Sequence, residues 1–130
     1  MYETLSSQKY RLFQKRRNAR IVFMQALYIR QQTGSSLTNA CDDVILTLEP
    51  NWRYDNDLLD TLIEFYSEHS LSFTATLKAQ LKFGFDRFSL IDKAILKAAQ
   101  CEFLSCLATD KTVIINEYLE ICKEFSEPSS

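Results

Sequence analysis

Glycine and proline are scarce in this sequence, and their scarcity limits what the chain can fold into. The 130 residues contain only 2 Gly and 2 Pro. Because turns and hairpins draw heavily on these two residues, a sheet of many short strands would have little to connect it. Apolar residues recur instead at spacings of three and four, which is typical of amphipathic helices. We therefore predict an all-α protein, a compact helical bundle of two subdomains with about six helices.

The length of the chain is right for a single hydrophobic core and too short for two ordinary domains. We predict one domain over residues 1–130, divided into a basic N-terminal helical half, residues 1–70, and a C-terminal helical half, residues 71–130. The predicted helices run over Ser7–Thr33, Leu37–Leu48, Asp57–His69, Ser72–Lys82 and Ser89–Leu107, and a sixth begins at Asp110 or Thr112 and ends near Phe125. Gly34 and Gly84 are expected to end helices, as is Pro50.

The spacing of apolar residues determines the prediction for the first and the last of these helices. In the first, one buried stripe is predicted from the spacing of its apolar residues, which are Ala19, Val22, Phe23, Ala26 and Leu27. In the last, the β-branched run Thr112–Ile115 would suit a strand in isolation. The helical spacing of Ile115, Leu119 and Cys122 favours a helix, and a single strand would have no partner.

Basic residues concentrate near the N-terminus, although the whole chain has a formal net charge of -2. The densest run is Lys15-Arg16-Arg17-x-x-Arg20, which on a helix brings the three arginines within about 100° of one another. We expect their guanidinium groups to face outward, where they can bind phosphate in a bidentate manner and stack on unpaired bases. The run predicts an RNA-binding surface. A solvated face, an acidic protein partner or a membrane surface are the alternatives.

Catalytic and metal-binding motifs are absent from the sequence. It contains neither a nucleophile motif nor a glycine-rich phosphate loop, and the one histidine, His69, has no second histidine to share a metal. The cysteines at 41, 101, 106 and 122 lack the C-x-x-C spacing of zinc sites, so we interpret them as reduced thiols. We therefore expect a cytoplasmic binding protein that is not an enzyme and uses no cofactor or metal.

Three patches of the sequence form a distinctive set, in chain order: Arg16–Arg20 with Gln25–Tyr28, Ser89–Lys97 with Cys101–Leu104, and Val113–Glu117 with Leu119–Phe125. They are an arginine-rich opening, an acid-base-alanine helix and an isoleucine-asparagine-glutamate segment. In these patches the sequence resembles the NusB family of bacterial transcription antitermination factors. Together the patches cover residues 16–28 and 88–125, while the middle of the chain matches only in length and helical pattern.

This resemblance implies binding of single-stranded, boxA-type RNA together with the small-subunit ribosomal protein NusE, within the antitermination complex of RNA polymerase. It implies that Lys15, Arg16, Arg17 and Arg20 contact RNA, and that Tyr28 and Asp92 contact NusE. Packing of Tyr28 and helix capping by Asp92 are the structural alternatives. Two other functions stay open: an RNA-binding domain related to the N-terminal part of an rRNA cytosine methyltransferase, and a helical adaptor that binds only proteins.

The sequence also departs from the family pattern. Asp110 and Ser126 stand where members usually carry Pro and Gly, and members continue into one more apolar helix beyond the position of Ser130. We expect apolar surface on the C-terminal helical half to be exposed as a result, which makes a homodimer another predicted assembly.

Overall fold

A computed structural model describes residues 5–81 and 84–126, with side chains from residue 11 onward. In this part of the chain there are five α-helices and one 3-10 turn, and no strand. The α-helices are α1 (Leu5–Thr33), α2 (Leu37–Leu46), α3 (Asn56–Gln80), α4 (Leu90–Ser105) and α5 (Lys111–Phe125), and the 3-10 turn covers Phe85–Arg87. The all-α prediction is confirmed, with a helix count slightly below six.

The middle of α1 forms the centre of the bundle. From Asn18 to Leu27 every residue except Gln25 is buried, because α2, α3 and α4 all pack on this one helix. The predicted stripe is confirmed, but it was too narrow. Ile21 and Met24, which lie off the stripe, are 9% and 0% exposed. A helix enclosed on all sides has no outward face over this stretch, so the Arg20 side chain lies in the interior.

The predicted third and fourth helices are a single helix, α3, so the prediction of a break near His69 was wrong. No Gly or Pro interrupts the sequence there, and Phe65, His69 and Phe73 form a stack whose neighbouring rings lie 4.3 and 6.0 Å apart. Phe73 is buried, which fixes the second half of the helix on the core. The division between residues 70 and 71 falls inside α3, and Lys82 lies outside the described residues.

Helix ends follow the predicted signals closely. Gly34 and Gly84 have φ of 73° and 78°, the left-handed region that glycine enters without strain. Ser89 caps α4 by accepting a hydrogen bond from the backbone N–H of Asp92, and Asp110 caps α5 by accepting one from Thr112. The run Thr112–Ile115 is helical as predicted.

The packing of α1 against α4 brings distant charges together. The two helices are antiparallel, since Arg20 meets Glu102 while Gln31 meets the carbonyl of Leu90 one helix length away. At the other end of α1, the carbonyl of Lys15 accepts a hydrogen bond from the backbone N–H of Asp55 at 3.0 Å. The basic run therefore lies between the start of α3 and the acidic inner faces of α4 and α5.

Candidate nucleic-acid interface

The four residues of the predicted RNA-binding run have different surroundings. Lys15 is exposed, Arg16 and Arg17 are partly buried, and Arg20 is only 1% exposed. The prediction that all three guanidinium groups face outward is therefore wrong for Arg20. One turn of helix separates a side chain that can reach a ligand from one that cannot.

Arg20 is held inside the bundle by two carboxylates. Its Nε lies 2.8 Å from Oε1 of Glu102 and its Nη2 lies 2.8 Å from Oε2, while its Nη1 reaches Oε1 of Glu117 at 3.1 Å. Glu102 and Glu117 are 0% and 2% exposed. Burial by itself lowers the pKa of Arg20, but the hydrogen bond and charge of Glu102 outweigh it and the pKa is raised. The guanidinium is fixed as a permanent cation.

Arg17 and Tyr118 complete this buried network. Arg17 donates to Oε2 of Glu117 at 2.6 Å, and the hydroxyl of Tyr118 donates to Oε1 of Glu102 at 2.9 Å. Two guanidinium groups thus meet two carboxylates, which satisfies the buried charges and joins α1 to α4 and α5. Burial, followed by the charge of Glu102, raises the pKa of Tyr118 well above its ordinary value, so its hydroxyl stays a donor.

Arg16 lies at the edge of the bundle. Its Nη2 donates to the hydroxyl of Thr109 at 3.3 Å, and its Nη1 lies 3.7 Å from the carboxylate of Asp55. The Arg16 side chain keeps 31% of its surface exposed. A long, partly solvated ion pair of this kind is weak and can be exchanged for a phosphate.

On the same end of α1, a cleft opens between the helix and the loop that precedes α3. Its volume is about 530 Å³. Its lining combines three cations, an indole and three amides: Arg11, Lys15, Arg53, Trp52, Gln14, Asn18 and Asn51. Positive charge around an aromatic platform is the combination that holds single-stranded nucleic acid.

The walls of the cleft are fixed by hydrogen bonds. The Asn18 side chain is 5% exposed, and its Nδ2 donates to the carbonyl of Arg53 at 2.6 Å. Gln14 donates to Oδ1 of Asn18 at 2.9 Å. The Trp52 indole packs partly against the core, so the platform has a rigid support. Fixed walls lower the ordering cost of binding a ligand.

Sequence reasoning missed Asn51, Trp52 and Arg53. They lie in a loop after Pro50, outside any helical periodicity, and they are far in sequence from the basic run. A tryptophan next to an arginine in a polar loop was the available signal. Only the packing of this loop against α1 shows that the two segments share one surface.

Comparison with known proteins identifies the family. The family model described as the NusB family matches residues 17–130. The chain is 31% identical over 122 residues to the transcription antitermination protein NusB of Bacillus mycoides, covering 89% of this chain and 88% of the relative. It is 28% identical over 117 residues to the protein of the same name from Lysinibacillus sphaericus, covering 89% and 87%. This chain belongs to the NusB family.

Both acidic members of the buried network lie in the patches that carry the NusB resemblance. Glu102 follows Cys101 in the second patch, and Glu117 ends the isoleucine-asparagine-glutamate segment of the third. Arg17 and Arg20 belong to the first patch. In this chain, residues from all three patches form one set of ion pairs, and these ion pairs join α1 to α4 and α5.

The two predicted partner residues lie at the opposite end of α1 from the cleft. Tyr28 is partly buried, and its hydroxyl accepts a hydrogen bond from Gln32 at 3.0 Å. Asp92 is also partly buried, and its Oδ1 accepts a 2.6 Å hydrogen bond from the hydroxyl of Ser126. This bond ties the end of α5 to α4, and glycine, the residue expected here from the NusB resemblance, could not make it.

No group of three or more metal-ligating side chains comes together in residues 5–81 and 84–126. None of the helices there is both long enough and apolar enough to cross a membrane.

Proposed function

We propose that this protein is a non-catalytic, cytoplasmic transcription antitermination factor that binds single-stranded, boxA-type RNA in the cleft beside Trp52. The observation that carries the proposal is the cleft itself, in which Arg11, Lys15 and Arg53 surround an indole. Family membership supports the same role, since the relatives named above are transcription antitermination proteins.

The proposed roles of the basic residues differ with their surroundings. Lys15 and Arg53 are exposed and neutralise phosphates directly, with Arg16 and Arg17 at the rim of the surface. A base stacks on the Trp52 indole, and the neighbouring amides are available to its polar edge. Arg20 is buried and paired, so we assign it no direct contact and give it the task of positioning α1.

The second part of the proposal concerns NusE. Tyr28 and Asp92 lie at the far end of α1, so a protein bound there leaves the Trp52 cleft open for RNA. Asp92 can serve both its intramolecular bond and a partner, because Ser126 occupies Oδ1 and a carboxylate has a second oxygen. RNA and NusE would then bind together, as expected of a subunit of the RNA polymerase antitermination complex.

A second candidate function is a protein adaptor or homodimer, favoured by one apolar surface. Leu104, Leu107, Ile115 and Leu119 are 46%, 77%, 51% and 53% exposed. A groove of about 480 Å³ between α3, α4 and α5 adjoins Leu104 and Ile115. Exposed apolar residues grouped in this way mark interaction surfaces. Sedimentation equilibrium with and without boxA-type RNA separates the two candidates: self-association without RNA binding favours the adaptor, and formation of a protein–RNA complex favours the first proposal.

The single tryptophan makes a direct test of the RNA proposal available. Titration with boxA-type RNA should quench the Trp52 emission, with the same midpoint as the anisotropy of the labelled RNA. Trp52→Ala should lower affinity by about 1–3 kcal/mol, the typical loss when one stacked base loses its platform. Anisotropy that reports tight binding without any change in Trp52 emission, and with unchanged affinity of Trp52→Ala, would place the RNA elsewhere.

The same titration tests the partner. Adding NusE should tighten RNA binding by the wild-type protein, and Asp92→Lys should remove that gain without lowering affinity for RNA alone. Asp92→Asn is the matched control, because it keeps a hydrogen-bond acceptor for Ser126 while removing the charge. If Asp92→Lys and the wild-type protein respond equally to NusE, Asp92 is only a structural residue.

A further inference from the structure

A second basic cluster lies where the C-terminal part of α1 meets α3 and α4. It consists of Arg30, Lys78, Lys93 and Lys97. Lys78 is paired with Asp86 at 3.7 Å, in a contact whose two side chains are 53% and 77% exposed. In the described part of the chain, no carboxylate lies within ion-pair distance of Arg30, Lys93 or Lys97. Three cations from two helices therefore share a surface without local neutralisation.

Two members of the cluster line a cavity of about 340 Å³, a volume within the usual range for small-molecule sites. Arg30 and Lys97 line it from two sides, and Ser70 and Thr74 line it from α3, where the Thr74 hydroxyl donates to the carbonyl of Ser70. Gln31 also lines it, and its Oε1 is buried without a hydrogen-bond partner among the described residues. Cations, hydroxyls and one open acceptor around a small cavity are suited to a phosphate group that carries one proton.

Aromatic rings hold these cations in place. The Arg30 guanidinium lies over the ring of Tyr66, 5.5 Å from its centroid. The ammonium groups of Lys93 and Lys97 each lie 5.6 Å from the centroid of Phe85. Tyr66 and Phe85 are 2% and 3% exposed, so both rings are fixed in the core. The charges are thus positioned before any ligand arrives, which favours binding.

The electrostatics of Lys97 are unfavourable in the free protein. Burial lowers the pKa of its ammonium, and the neighbouring positive charges lower it further, those of Arg30, Lys93 and Lys78. A bound anion would offset both the repulsion and the lost hydration. Holding these cations together destabilises the free protein, and a bound anion would relieve that destabilisation.

We propose that this cavity is a phosphate-binding site, with Arg30 and Lys97 as direct ligands and Lys93 and Lys78 supplying further positive potential. It is separate from the Trp52 cleft, because Lys15 and Arg30 are about 22 Å apart along α1 at 1.5 Å per residue. The phosphate is a monoester, which keeps a proton for Oε1 of Gln31, and it belongs either to a small molecule or to the terminal phosphate of an RNA strand. The proposal does not depend on the RNA proposal above.

Calorimetric titration with inorganic phosphate, at constant ionic strength, tests the site. Lys97→Met keeps much of the aliphatic stem and removes the charge, and should weaken phosphate binding at least tenfold. Lys123→Met is the matched control. Its lysine is 73% exposed on α5 and is paired with Glu120, so its loss should leave phosphate binding unchanged. Equal phosphate affinity of the wild-type protein and Lys97→Met would overturn the proposal.

A measurement on the wild-type protein avoids reliance on the folding of a variant. In the NMR spectrum of ¹³C-methylated lysines, saturating phosphate should raise the pKa of Lys97 and leave the methyl resonance of Lys123 in place. No change at Lys97 would contradict the assignment. Competition with terminally phosphorylated RNA then identifies the source of the phosphate: RNA that displaces inorganic phosphate shows that the strand reaches the cavity, and RNA that binds without displacing it assigns the cavity to a small monoester.

Discussion

The two ends of one short basic run behave in opposite ways. Lys15 is exposed on the wall of a cleft, whereas Arg20, five residues later, is 1% exposed and bound to two carboxylates. Arg16 and Arg17 are intermediate, each with a side chain 31% exposed and each in an ion pair. The difference arises because the carboxylates of Glu102 on α4 and Glu117 on α5 lie against Arg20, whereas Lys15 lies beside the loop that precedes α3. A basic run is therefore not a binding surface until its acidic neighbours in the fold are known.

The same comparison separates stability from binding. A buried, fully hydrogen-bonded ion pair is costly to break, because the remaining charge stays in the interior without its partner. Breaking an exposed ion pair lowers stability only slightly, because water and salt ions replace the lost contact. We therefore expect mutations at Arg20 to change folding and mutations at Lys15 to change ligand binding.

The largest expected effect is at Arg20. Arg20→Met should lower the free energy of unfolding by about 3–5 kcal/mol, because Glu102 and Glu117 would be left buried with fewer partners. Urea denaturation followed by circular dichroism measures the loss. Arg16→Met is the matched control and should lose less than about 1 kcal/mol, as its ion pair with Asp55 is long and partly solvated. Equal losses in the two variants would contradict the division between interior and surface.

A double variant tests whether the buried carboxylate of Glu102 causes part of the loss in Arg20→Met. When Glu102→Met is added to Arg20→Met, part of the lost stability should return, since a buried uncompensated carboxylate is removed. The remaining contact between Glu117 and Arg17 is retained in that double variant. A double variant that is less stable than Arg20→Met alone would show that Glu102 is held mainly by other contacts.

A smaller effect is expected at alkaline pH, and it should come from the buried region alone. The pKa of Tyr118 is raised well above 10.0, first by burial and then by the charge of Glu102. The folded state therefore retains a proton that the unfolded state loses. The stabilisation is complete below pH 10 and decreases as the pH rises from there towards the folded pKa, by up to about 1.4 kcal/mol per pH unit.

Burial also raises the pKa of the Cys41 and Cys101 thiols to about 12, which adds to the decline above pH 9. Tyr118→Phe isolates the tyrosine contribution, because it keeps the ring and removes the ionisable hydroxyl. Unfolding free energies measured from pH 8 to 11 should fall less steeply in Tyr118→Phe than in the wild-type protein above pH 10. Parallel curves would mean that Tyr118 ionises as readily in the folded state as in the unfolded chain.

Much of the fold could be predicted from the sequence, because local signals determine it. The caps at Ser89 and Asp110, the glycines at helix ends and the apolar spacing of α1 all act within a few residues. The break predicted near His69 was wrong for a tertiary reason: Phe73 is buried on the core, so the helix continues past the polar residues around His69.

The candidate site was less predictable, for the same kind of reason. Arg20 and Glu102 are 82 residues apart, and no pattern in the sequence links them. The Trp52 loop carries no periodicity, and long-range hydrogen bonds fix its place beside Lys15: Asn18 donates to the carbonyl of Arg53, and the backbone N–H of Asp55 donates to the carbonyl of Lys15. Residue types indicated an RNA-binding surface near the N-terminus, but which side chains reach it depends on long-range packing.

The salt dependence of RNA affinity tests the division of the basic residues most directly. Lys15→Gln combined with Arg53→Gln should make the slope of log K against log salt shallower by about 1.4, as each lost phosphate contact on single-stranded RNA removes about 0.7. The unfolding midpoint should stay within error of the wild-type value, since both residues are exposed. Lys111→Gln combined with Lys123→Gln, on α5, is the charge-matched control and should leave the slope unaltered. A slope that is unchanged by the first pair, or changed equally by the control pair, would contradict RNA binding in the Trp52 cleft.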